Sequence, residues 1–291
     1  MRIAVTGSSG KVGRATVDRL RADGHDVLGL DVTGTAGPGF TRVDLADYGQ
    51  TLDSVLGVTA RHTGLDALVH LAAIPVNGLV PDVTTFHANL SVSFNVFHAC
   101  LRAGIRRIVH ASSITAVGFP FHEPPAYLPL DEDCPPRANN TYGLVKVLEE
   151  AMAAQLVRWD PELSITGLRI TNVTGPGEYG PFATRGHDPA YRRDLLWSYV
   201  DARDVAASVA LALAAGRPGA VSYNIGASDT GLSVPTADLV AGAFPDVPLR
   251  GDLAGHEPVF AIGKAASDLG YRPAHLWRDE LHSTDRVTPN S

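Results

Sequence analysis

Residues 1–15 read MRIAVTGSSGKVGRA, and the way this stretch folds decides how the rest of the chain is read. Arg2 to Thr6 form a short apolar run, the pattern of a strand buried on both faces. Gly7, Gly10 and Gly13 follow, and from Lys11 an amphipathic stretch runs to residue 23. The glycines suit a tight turn in which bare backbone meets a phosphate. The helix start behind them offers unpaired N–H groups and a positive dipole end. Ser9, Lys11 and Val12 lie between the glycines and are read with them as cofactor contacts. The loop is one residue longer than the G-x-G-x-x-G fingerprint, so taken alone it is also compatible with a plain strand–helix turn.

The neighbouring segments repeat the alternation. DVLGLD (26–31), FTRVDL (40–45), DALVHLAA (66–73), RRIVHASS (106–113) and LSITGLRI (163–170) read as strands. Residues 11–23, 47–57, 82–103 and 140–159 read as helices. The predicted fold is α/β, a doubly wound parallel sheet of Rossmann type with ligands at the carboxyl ends of its strands. After residue 171 the pattern changes. Residues 171–194 are rich in Gly, Pro and charge, which predicts a functional loop or small lobe. WSYVDARDVAASVALALAAG (197–216) reads as a short strand and a helix, AVSYNIGA (220–227) as a strand, and 234–244 and 262–271 as short helices. The expected division is a nucleotide-binding domain over 1–171 and a small C-terminal substrate lobe over 172–291. Segment 197–226 is expected to pack back on the first domain, and the polar tail from Val287 to fray.

The formal net charge is −7 and no long basic run occurs, which argues against nucleic acid as a partner. No apolar run reaches the roughly 18–20 residues that span a bilayer, and no leader pattern follows Met1. Cys100 and Cys134 are the only cysteines, which suits a reducing cytoplasm and gives no disulfide framework. The 11 histidines are scattered without metal-ligand spacing, so no metal is expected.

Asp31 ends the second strand, about where a carboxylate meets the adenosine ribose hydroxyls of NAD. It would repel the 2′-phosphate of NADP, although Lys11 and Arg14 offer that phosphate some attraction. Asp44 and Leu45 follow the third strand at the expected place of the adenine; a bland turn aspartate fits nearly as well. Leu71, Ala72 and Ala73 end the fourth strand with residues that let a cofactor approach the backbone, while His70 reads as structural.

Tyr142 and Lys146 lie one helical turn apart on one face. An ammonium beside a phenol favours the phenolate and lowers its pKa from about 10, as a base working near neutrality requires. Such pairs are also common on helix surfaces. Ser112 and Ser113 end the fifth strand at the same sheet edge as the glycine loop. A hydroxyl there would hold a substrate oxygen while Tyr142 moves the proton, and one of the two serines could merely cap the next segment.

TGxxGxxG near the N-terminus, the acidic residue after strand two, the strand-five serine and YxxxK together resemble the short-chain dehydrogenase/reductase superfamily. LPLDEDCPP, LRITNVTGPG, WSYVDARDVA and LGYRPAHLWRDEL resemble its extended branch, the NAD-dependent epimerase/dehydratase family, over nearly the whole chain. The resemblance implies Tyr142 as acid/base, Lys146 on the nicotinamide ribose, Ser113 as the catalytic hydroxyl, and Asn89 as a cofactor-site helix residue, an interior polar bond being the other reading. Val117 replaces the tyrosine usual after that serine. The acidic pair of the family's dehydratases is replaced by Ile114 and Thr115, which disfavours dehydration. Only about 25 residues separate Asn172 from Trp197, where nucleotide-sugar epimerases carry a longer segment.

The resemblance therefore implies an NAD-dependent oxidoreductase acting on a small sugar, polyol or related metabolite, similar to the compact uronate dehydrogenases. Pro75 and the Ile114–Thr115 pair depart from the residues those enzymes use on the sugar. Pro75, Ser113, Ile114, Thr115, Asn172 and Arg185 are the candidate substrate contacts, with His187 a lesser one. An NDP-sugar epimerase and an NAD-binding protein without turnover are the alternatives. By the same analogy, helices 82–103 and 140–159 would pair two subunits into a homodimer.

Overall fold

Arg2–Thr6 is β1, buried along all but its first residue. The computed structural model describes residues 1–58, 62–121 and 123–284; the tail from Val287 lies outside them. After β1 come α1 (Lys11–Ala22), β2 (Asp26–Asp31), β3 (Phe40–Arg42), α2 (Tyr48–Leu56), β4 (Ala67–His70), α3 (Asp82–Ala103), β5 (Arg107–Ser113), α4 (Thr141–Leu156) and β6 (Ser164–Ile170). Beyond β6 lie β7 (Val173–Thr174), α5 (Gly180–Arg185), β8 (Val200–Asp201), α6 (Ala202–Ala215) and β9 (Gly219–Ile225). The chain continues through α7 (Thr236–Ala243), α8 (Gly263–Leu269) and α9 (Trp277–Thr284).

Seven strands pair in the order β3-β2-β1-β4-β5-β6-β9, every pair parallel. This is the doubly wound Rossmann-type sheet, with β9 added beside β6. All carboxyl ends share one edge. The chain leaves β1 toward β2 on one side and later returns to β4 on the other, so a crevice opens above β1. The glycine loop sits there. Gly7 has φ +65°, and a Cβ on Gly13 would lie 2.0 Å from the Gly7 carbonyl oxygen. A side chain at Gly13 would push α1 off the loop, and one at Gly7 would meet the Leu71–Ala72 backbone at 2.7 Å, so the spacing follows from packing as well as from phosphate contact.

One sheet face is covered by α1, α6 and α8, where Val17 and Leu20 meet Val205, Val209 and Ala265. The other is covered by α2, α3 and α4 through Val55, Val96, Phe97, Ala153 and Leu156. α6 and β9 thus lie on and in the main sheet, while β8 pairs with β7 in a separate two-stranded sheet. A third core forms the lobe, and it recruits residues that precede α4: Phe119, Tyr127, Leu128 and Leu130 pack with Trp197, Leu239, Val259 and Phe260. Isolated bridges from Leu128 to Leu249 and from Leu130 to Phe260 tie the two stretches together. Helix α9 is too short for its periodicity to stand out in sequence. It is fixed by Trp277, whose ring stacks on Phe182 and whose Nε1 donates to the Thr230 carbonyl at 3.0 Å.

Candidate active site

A cleft of about 1140 Å³ runs along the carboxyl edge of the sheet, from the glycine loop to the start of α4 and the turn after β6. Its walls bring together Gly7, Ser9, Gly10, Lys11, Val12 and Gly13 with Asp31, Asp44 and Leu45. Leu71, Ala72, Ala73, Pro75 and Asn89 line its middle, and Ser113, Ile114, Thr115, Tyr142, Lys146 and Asn172 its far end. The cleft leaves out Arg185 and the lesser candidate His187. Arg185 is exposed, stacks over the Tyr191 ring at 4.3 Å and faces Asp188, because α5 turns its last residue outward. His187 is exposed beyond it.

At the nucleotide end, Asp31 holds the loop. Its Oδ2 accepts from the Ser9 N–H at 3.0 Å, and its Oδ1 from the Thr33 N–H and hydroxyl. Both cations near the place of a 2′-phosphate are engaged. Lys11 pairs with Glu178, and Arg14 donates to the Ser9 carbonyl. Asn89 behaves as the interior polar bond: its amide clamps Ile74, accepting from N–H at 2.8 Å and donating to C=O at 3.0 Å. It shapes the cleft wall after β4 through that backbone.

At the reacting end, α4 starts where Asn140 accepts from the Gly143 N–H at 2.8 Å, an N-cap within the predicted helix. The helical repeat then turns both Tyr142 and Lys146 inward, to 9% and 3% exposure. Ser112 and Ser113 part, as successive strand residues must. The Ser112 hydroxyl donates to Glu150, while Ser113 accepts from Thr115 N–H and stands beside the Tyr142 phenol, whose pKa it acts to lower.

The phenol does not show the lowered pKa that the Tyr–Lys spacing predicts. Burial pushes it up, and the Glu149 carboxylate adds to that. Lys146 and the Ser113 hydroxyl pull it down without prevailing, so it stands above its ordinary value. Burial depresses the Lys146 ammonium, but Glu149, Tyr142 and Glu150 raise it more, and it stays charged.

The sequence reading missed Arg192. Its guanidinium donates to Asn172 Oδ1 at 3.1 Å and to the Ser198 carbonyl, and stacks over Phe182 at 5.2 Å. Burial holds its pKa below the usual arginine value, and its Nε has no partner among the described residues. Arg192, Leu196 and Trp197 all have positive φ, between 48° and 64°. Such backbone costs roughly 1–3 kcal/mol each and is retained only when the surroundings over-determine it. The double arginine in YRRD was the available signal, but spacing alone could not say which arginine turns inward.

A family model, the NAD dependent epimerase/dehydratase family, matches residues 3–226. The chain belongs to that family. UDP-glucose 4-epimerase of Mycolicibacterium smegmatis is 32% identical over 276 residues, 85% of each chain. L-arabinose 1-dehydrogenase (NAD(P)(+)) of Haloferax volcanii is 33% identical over 159 residues, 52% of this chain and 59% of that one. The chain spans 60% of the length of the UDP-glucose 4-epimerase of Bacillus subtilis, with which it is 30% identical over 212 residues. A short-chain dehydrogenase/reductase superfamily protein of Agrobacterium tumefaciens, solved with bound NAD, superposes with TM-score 0.74 at 23% identity, over 98% of this chain and 96% of that one. The cleft fits the family's cofactor. Its glycine loop lines one end, its volume admits a dinucleotide, and a carboxylate stands at the end of β2. Among the described residues no helix is long and apolar enough to cross a membrane.

Proposed function

We propose that the chain is an NAD-dependent dehydrogenase of a small sugar, polyol or related hydroxy compound. The observation that carries this reading is the state of residues 175–197. Tyr179, Phe182, Leu196 and Trp197 are buried in the lobe, and Phe182 packs against Tyr199 and Trp277. These four side chains are thus occupied by the core and not presented to a nucleobase, and of the segment only Leu195 lines the cleft among the described residues.

NAD, when bound, supplies the hydride acceptor. The chain's residues do the remaining work. The glycine loop and α1 N-terminus bind the pyrophosphate, with Asp31 on the ribose and Asp44 and Leu45 near the adenine. Ser113 holds the substrate oxygen, and Tyr142 accepts the hydroxyl proton as the carbon–oxygen bond becomes a carbonyl. Lys146 keeps a positive charge near the phenol and the ribose. Asn172 faces the rest of the substrate, and Arg192, which does not itself line the cleft, holds its Oδ1 from behind. Residues 1–171 with β9 and α6 form the cofactor-binding part, and the lobe closes the substrate end.

The similarity to UDP-glucose 4-epimerases supports a second reading, a UDP-sugar epimerase working with the same three side chains. NADH absorbance with sugars, uronates and polyols, run in parallel with NADP, tests the first. We expect NAD-linked turnover on an unconjugated substrate. Micromolar UDP binding by calorimetry, with no such turnover, would establish the second.

Val83, Phe94 and Leu144 on α3 and α4 are exposed apolar residues, in keeping with a homodimer joined through these helices. A monomeric mass in light scattering at micromolar concentration would exclude it. The two buried thiols, Cys100 and Cys134, suit a reducing, cytoplasmic compartment.

A further inference from the structure

Behind the catalytic lysine lies a buried polar chain that the reaction scheme above does not use. Lys146 Nζ donates to the Ala111 carbonyl and to Glu149 Oε2, each at 2.8 Å. Glu149 is 1% exposed, and its other oxygen accepts from the Ser93 hydroxyl at 2.7 Å. Ser93 in turn contacts His70 Nε2 at 3.1 Å, and His70 Nδ1 contacts Thr6 Oγ1 at 2.8 Å. The proton positions follow from the far end. Thr6 Oγ1 already accepts the N–H groups of Leu71 and Ala72, so its own proton goes to His70 Nδ1. His70 therefore carries its proton on Nε2 and donates to Ser93, which donates to Glu149. Every hydrogen bond in the chain points at one carboxylate.

A buried acid is costly unless it is paired and hydrogen-bonded. This one is satisfied on both oxygens, by Ser93 of α3 and Lys146 of α4, and Ser93 is held in turn through His70 of β4 and Thr6 of β1. The chain also ends on the Leu71 and Ala72 backbone, which lines the cofactor cleft. We propose that Glu149 is a positioning residue for the reaction. It holds the Lys146 ammonium against the Ala111 carbonyl, is itself oriented by Ser93, His70 and Thr6, and counters the ammonium's charge, thereby setting the pH at which Tyr142 releases its proton.

The groups facing this carboxylate are few. From β4 comes His70, which burial keeps neutral. From β5 comes His110, also depressed by burial, with Nδ1 4.0 Å from Glu149 and no hydrogen-bond partner among the described residues. From α4 come Lys146, Tyr142 and Glu150, the last paired with Arg169 of β6. Lys146 is therefore the cation whose effect on Tyr142 Glu149 offsets.

This inference rests on reading Tyr142 as the acid/base. Glu149→Gln keeps the shape and removes the charge. The acid limb of kcat/KM for oxidation should move down by roughly half a unit or more, because the phenolate loses a nearby negative charge. Phenolate absorbance in the NAD complex, corrected with the matching Tyr142→Phe protein, should move the same way and needs no substrate. Unchanged midpoints overturn the inference. Where Glu149→Gln does not fold, Ser93→Ala serves: turnover should fall by about threefold to tenfold, one hydrogen bond's worth, and recover in Ser93→Thr. Parent-like turnover in Ser93→Ala overturns it equally. An active Tyr142→Phe enzyme would instead overturn the assignment of Tyr142, so the two failures are told apart.

Discussion

Tyr142→Phe is expected to lower turnover by about 10²–10⁴-fold while leaving NAD affinity within a few-fold of the parent. The change deletes one oxygen from a side chain that is 9% exposed, and phenylalanine refills the same space. Packing in α4 is preserved, as is the cleft from Gly7 to Ala73. What disappears is the phenol oxygen beside Ser113, the group that accepts the substrate proton. Among the described residues lining the reacting end, the polar groups besides Tyr142 are poor substitutes. Ser113 has no base behind it, Lys146 is held protonated by Glu149, and Asn172 does not titrate. Steady-state kinetics and NAD calorimetry on the same preparation test this, and turnover near the parent level would remove Tyr142 from the mechanism.

Glu150→Ala is expected to destabilise the fold by about 3–5 kcal/mol. Glu150 lies one position from Glu149 and faces the other way, toward β6. Arg169 Nε and Nη2 donate to its two oxygens at 3.0 and 2.8 Å, and the Ser112 hydroxyl donates to it at 2.5 Å. The Arg169 side chain is 7% exposed, so alanine at 150 strands a guanidinium with little water to replace its partner. Replacing both members by apolar residues should cost far less, because no charge is then left alone. Urea unfolding of the single and double variants makes the comparison; a single-variant loss under about 1 kcal/mol would contradict it.

The pH dependence has a definite sign. Burial raises the Glu150 carboxyl, but the Arg169 bonds and charge, with Ser112, lower it further, and it sits below its ordinary value. A carboxyl depressed in the folded state stabilises above its unfolded pKa, about 4.3, and that contribution is lost as pH falls through the depressed value. The gap between parent and Glu150→Ala should therefore narrow below about pH 4.

The sequence by itself determined what depends on near neighbours. A buried strand, a glycine-spaced turn and a helix start are all contained in residues 1–23, so their geometry is written in local spacing. The same holds for Tyr142 and Lys146, which the helical repeat places on one face whatever surrounds them. Alternating strands and helices then left few topologies, since parallel crossovers have one hand.

Tertiary structure decided the charges and the partners. Thr6, His70, Ser93 and Glu149 belong to four different elements, and no local pattern marks them as one hydrogen-bonded chain. Their meeting reverses an inference that spacing alone supports: the ammonium expected to lower the Tyr142 phenol is partly neutralised by Glu149, and burial prevails. In the same way the fold turns Arg192 toward Asn172 and Arg185 toward solvent, although both are arginines of one Gly- and Pro-rich segment. Which way a loop residue turns depends on what the loop packs against. Here that is a lobe core assembled from residues 114–134 as much as from those after 172.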